Sequence, residues 1–150
     1  MKEPRPSINE ILDEHVGRQI GAKTGLRRKR VETVTAHFRR CIDDVGEDVI
    51  SDASRAMLEL ERQFCAEDAF CRILNAGDLL LVLREYVRES WLLSDLRDRA
   101  VQLRFADALQ MLILKQHLAS PQEFALIGIH VLTAIINAKA ELTAERLRTK

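Results

Sequence analysis

Residues Gly17 to Thr24 read GRQIGAKT, one position away from the phosphate-cradling pattern G-x-x-x-x-G-K-[ST], with Ala22 where the second glycine belongs. That glycine lets backbone amides close around a phosphate, and a methyl group there intrudes. A loop of this kind also follows a buried strand, whereas NEILDEHV, just ahead of it, has the charge and spacing of a helix. The segment is therefore read as the loosened end of a helix rather than a nucleotide loop, with Gly17, Gly21 and Gly25 spaced four apart.

The histidines are His15, His37, His117 and His130. A di-iron carboxylate bundle needs glutamate three residues before histidine, and the residues found there are Leu12, Val34, Leu114 and Ile127. His37 and Cys41 lie one helical turn apart, close enough to share a zinc ion, but two ligands do not make a site. His130 falls in the most apolar segment and reads as a hydrogen-bonded core histidine. No G-x-S-x-G or similar nucleophile signature occurs, so the chain is expected to be non-enzymatic, with no cofactor and no metal. Cys41, Cys65 and Cys71 form an odd set without C-x-x-C spacing, which suits buried thiols in a reducing cytoplasm.

Charge is more informative. The 23 basic and 23 acidic residues cancel, which excludes a uniformly basic nucleic-acid binder. Resolved along the chain, Arg18 to Arg40 holds eight basic residues and only Glu32, while Asp43 to Asp98 holds 14 acidic and six basic residues. Lys23, Arg27, Arg28, Lys29, Arg30, Arg39 and Arg40 are the candidate contacts to phosphates or to an acidic protein face. No aromatic residue is interleaved with them, so base stacking is unsupported.

These residues must be carried by helices. Proline is confined to positions 4, 6 and 121, leaving Ser7 to Ser120 free of residues that forbid a helix interior. Ser7 and Glu10 have capping-box spacing, followed by Ile8, Ile11, Leu12, Val16 and Ile20 at helical period. Val31 to Val45 gives a second helix, stopped at Gly46. A third runs from Asp48 through Ala53, Met57, Leu60 and Phe64, and a short fourth ends at Asn75. Asp78 caps a fifth, whose Leu79 to Leu83 run is apolar on every side. No alternating segment or hairpin turn offers that run a strand partner. Tyr86 and Trp91 are core aromatics before they are pocket walls.

Ser94 or Asp95 opens a sixth helix, and Ser120-Pro121-Gln122-Glu123 opens the last. The 15 residues between Glu123 and Lys139 carry no charge. That falls short of the roughly 20 needed to span a bilayer, which predicts a buried central helix and no membrane. Nothing in MKEPRPSINE resembles an export signal.

The expectation is an all-α, single-domain bundle of six to seven helices with a long, largely buried C-terminal helix, residues 1–6 as a flexible arm, and 138–150 as a projecting end. Two functions compete. One is a helical protein–protein interaction module, a regulator or adaptor, self-associating through Ala138, Leu142 and Leu147. The alternative is a small nucleic-acid-associated protein that contacts phosphates through residues 23–40.

Overall fold

The computed structural model describes residues 5–149. Ser7 Oγ accepts from the Glu10 amide, and the Glu10 carboxylate returns the bond, so the capping box read from the sequence starts α1 (Ile8–Ile20). Arg5, assigned to the flexible arm, reaches across to Glu123 at 2.6 Å; residues 1–4 of that arm lie outside the described residues. Gly21 ends α1 at positive φ. Gly17 and Gly25 have open space where a Cβ would stand, so the glycine spacing serves the helix end and not a close helix contact.

Helix α2 spans Gly25–Val49. It passes straight through Gly46, which is no stop signal but the point where the Phe70 ring approaches the backbone. The start at Asp48 is likewise corrected: Ser51 caps α3 (Asp52–Phe64) by accepting from the Ser54 amide. A short α4 follows (Ala69–Ile73), and then α5 (Ala76–Tyr86). Its cap is Asn75, while Asp78 sits at the third helical position, accepting from the Asn75 amide and from Ser54 Oγ.

After a 3-10 turn at Glu89–Trp91, Asp95 accepts from the Arg97 and Asp98 amides to open α6 (Leu96–Lys115). The connection before α6 is stapled by Gln102, which is fully buried: its Oε1 accepts from the Leu93 amide, and its Nε2 donates to the Tyr86 and Trp91 carbonyls. Ser120 and Glu123 close a capping box with Pro121 at the first position, and α7 then runs over Pro121–Arg148, with a π-helical stretch at Phe124–Gly128. The described residues thus form seven helices and no strand.

α2 packs against α5 and α6, and α6 packs along α7. The centre of the bundle is α5, where Leu79, Leu80, Val82, Leu83 and Tyr86 are all buried. Tyr86 Oη donates to the Val34 carbonyl at 3.2 Å and lies 3.0 Å from His37 Nδ1. The run that is apolar on every side is therefore the one surrounded on every side.

The C-terminal helix has the length expected of it but not the burial. Gly128, Val131, Ile135, Ala138 and Leu142 face the bundle, while Leu126, Ile129, Leu132 and Ile136 are exposed. α5 takes the central place, packed against α1, α2, α6 and α7, which leaves α7 at the periphery. The third helix departs from expectation in the same way. Met57, Leu60 and Phe64, which share one helical face, are exposed, and α3 seats only Leu58 in the core. It is moored by Arg55, which donates twice to the Glu47 carbonyl, and by the Arg62–Glu47 ion pair.

Candidate functional site

The basic segment divides among several neighbours. Arg28 is paired with Glu32 at 2.9 Å. Arg39 turns toward α1, donating to Asn9 Oδ1 at 3.2 Å and approaching Asp13 at 3.9 Å. Lys29 and Arg40 are exposed. Lys23, Arg27 and Arg30 do converge, and residues far along the chain join them. They line a hollow of about 290 Å³ with Arg104, over Val31 and Val101. A second hollow, of about 410 Å³, shares Arg30, Val101 and Arg104 and adds Arg97 and Arg146 over Ala100 and Leu142. The two form one groove between α2, α6 and the C-terminal turns of α7.

Six cations thus line a concave surface with an apolar floor, and no acidic residue lines either hollow. Arg30 is the one drawn inward, 2.7 Å from Asp98 and 3.7 Å from Asp95. Lys23 Nζ donates to the Gln19 carbonyl at 2.6 Å. Among the described residues, Arg27, Arg97, Arg104 and Arg146 have no ion pair. The first turn of α2 carries no acidic residue, so the positive end of that helix adds to the local potential.

Half of this groove is absent from the basic segment. Arg97, Arg104 and Arg146 lie far from that segment in sequence, two of them within or just beyond the acidic region. The available signal is the seven-residue spacing of Arg97 and Arg104, which sets both on one face of α6.

The other surface is the outward face of α7. Positions 126, 129, 133, 136, 140, 143 and 147 alternate in steps of three and four, and all are exposed. They hold Leu126, Ile129, Thr133, Ile136, Ala140, Thr143 and Leu147. This is the spacing of a helix-pairing seam. Of the residues expected to mediate self-association, Ala138 and Leu142 are in the chain's own core at 5% exposure each, and only Leu147 is available, at 64%. The stripe of Ala138 and Leu142 lies on the face that packs inward. His130, expected in the core, is exposed on this helix. By length and composition α7 is also apolar enough to cross a membrane.

The remaining titratable groups do structural work. His15 is buried, its Nε2–H donating to the Phe105 carbonyl at 2.9 Å, and burial pushes its pKa down to about 4. His37 is lowered too, by burial and then by Arg40. With its Nδ1 on Tyr86 Oη and its ring 5.5 Å from that of Trp91, His37 is committed to packing rather than to a metal pair with Cys41. Burial raises the Cys41 thiol to about 12 and the Cys71 thiol to about 11. Cys65, expected to be buried, is exposed, because it follows the last turn of the loosely seated α3. No group of three or more His, Cys, Asp or Glu side chains stands ready for a metal ion among the described residues. No family model, curated protein or solved structure matches the chain.

Proposed function

We propose that the protein is a helical interaction module that acts as a homodimer, joined by antiparallel pairing of the outward faces of α7. The observation that carries this reading is the three-four spacing of the exposed positions from Leu126 to Leu147, which runs about 30 Å along the helix. Exposed apolar side chains clustered at that spacing mark a surface that a second helix covers.

Charge selects the partner and its direction. Residues 124–138 are uncharged, so two copies bring no like charges together over the middle of the seam. In a parallel pair, Lys139, Glu141 and Arg146 would each stand level with their own copies. In an antiparallel pair with Thr133 level with the partner's Ile136, these three residues stand level with positions 130, 128 and 123 of the partner helix instead and no longer meet their own copies. A two-fold axis perpendicular to the helix produces that arrangement and uses the same patch on both chains.

A lipid bilayer is the competing cover for an apolar helix. Against it, Val131, Ile135, Ala138 and Leu142 hold α7 lengthwise on the bundle, so spanning would require the helix to leave the core it completes.

Light scattering after size-exclusion chromatography tests the proposal. The native chain should run at twice its 17.1 kDa mass across an about hundredfold concentration range, and the double variant Ile129→Glu/Ile136→Glu at once that mass with unchanged helicity. A monomeric native chain, a double variant that still dimerises, or monomers that partition into neutral phosphatidylcholine vesicles would each overturn it.

A further inference from the structure

We propose that the groove between α2, α6 and α7 binds a linear polyphosphate, either free or as the phosphate end of a nucleotide. The proposal stands on a different surface from the dimer seam and does not depend on it.

Convergence is the first argument. Lys23 comes from the turn before α2 and Arg27 from the first turns of α2, Arg97 and Arg104 from one α6 face two turns apart, and Arg146 from the end of α7, with Arg30 between the two hollows. Like charges drawn from three helices repel one another unless something anionic lies among them. Asp95 and Asp98 stand at one end of the groove, where Arg30 pairs with them and Arg97 also feels Asp95, while Lys23, Arg27, Arg104 and Arg146 have no ion pair among the described residues. Folding has thus gathered six cations around two carboxylates.

Chemistry narrows the anion. Five of the six cations are arginines, whose planar guanidinium forks grip phosphate oxygens two at a time. Two adjoining hollows that share Arg30, Val101 and Arg104, of about 290 and 410 Å³, suit a chain of phosphates better than a single one. Neither hollow is lined by an aromatic residue, so the groove has nothing on which to stack a base. Recognition therefore rests on the phosphates. The concave shape and the diversion of Arg28 and Arg39 to carboxylate and amide neighbours leave no continuous basic ridge for a duplex backbone.

Isothermal titration calorimetry of the native chain at low ionic strength tests this with sodium tripolyphosphate, orthophosphate, AMP, ATP and a short single-stranded oligonucleotide. Tripolyphosphate should bind once per chain, and orthophosphate and AMP about tenfold or more weakly. Arg104→Gln and Arg27→Gln should each weaken tripolyphosphate by about tenfold, the loss expected for one charge-assisted hydrogen-bonding partner. Arg28→Gln, outside the groove, should leave it unchanged. ATP equal to tripolyphosphate identifies the phosphate chain as the ligand, and ATP binding more tightly identifies a nucleotide.

Thermal unfolding of each variant without ligand checks that the fold is kept. Repeating the titration on Ile129→Glu/Ile136→Glu separates the groove from the seam. Absent tripolyphosphate binding, equal loss in Arg28→Gln, or oligonucleotide binding that is tighter and indifferent to Arg27 and Arg104 would overturn the proposal.

Discussion

The Phe70 ring fills the space in front of Gly46: a Cβ at that glycine would stand 2.7 Å from Phe70 Cζ. Phe70 belongs to α4 and Gly46 to the interior of α2, so this contact sets how closely the short helix docks on the long one. Gly46→Ala improves helix propensity yet forces the ring to move, and strain outweighs propensity. A net loss of about 1–2 kcal/mol is expected from urea unfolding. Gly17→Ala, with open space at its Cβ, should not be destabilising.

His15 makes stability depend on pH. Its folded pKa of about 4 lies below the ordinary 6.5, so the unfolded chain binds the extra proton between those values. Stability is complete above about 6.5 and is lost as the pH falls toward 4, by up to about 3 kcal/mol from this one group. His15→Gln keeps a donor near the Phe105 carbonyl and removes the titration. Denaturant midpoints at pH 4.5 and 7.5 should lie closer together in the variant than in the native chain.

His117 holds φ at +52° just past the end of α6, where its amide reaches the Leu114 carbonyl and the Leu118 amide reaches the Ile113 carbonyl. That paired closure ordinarily uses glycine. His117→Gly should raise stability by about 1 kcal/mol, because glycine adopts positive φ without a Cβ clash. A thermal midpoint at or below that of the native chain would contradict the backbone argument.

The cysteines should react in two classes. Cys65 is exposed, while Cys41 and Cys71 are buried with thiols raised to about 12 and 11. A disulfide-exchange reagent near neutral pH should titrate one thiol promptly and the other two only as the chain unfolds. Cys65→Ser should remove the fast phase alone.

How far the candidate sites were legible follows from how local their determinants are. Lys23, Arg27 and Arg30 stand out in sequence because they are close together. Arg104 and Arg146 meet them only because α6 and α7 are laid beside α2. The seam on α7 was legible as apolar, but its direction was not. Ala138 and Leu142 form one stripe of a helix that carries two, and nothing within the helix says which stripe the bundle takes.

By itself, the sequence determined that the chain is helical and where three of its seven helices begin. Ser7 with Glu10, Asp95, and Ser120 with Glu123 act on amides within three residues, and an apolar period of 3.6 acts within a few turns. The tertiary structure decided which helix is enclosed. Leu79 to Leu83 and the apolar half of α7 are similar as sequence, yet α5 is surrounded while α7 keeps Leu126, Ile129, Leu132 and Ile136 in solvent. The physical reason is that capping and periodicity are energies between near neighbours in the chain. Burial and the gathering of charge depend on which distant segment arrives to cover or to join a surface.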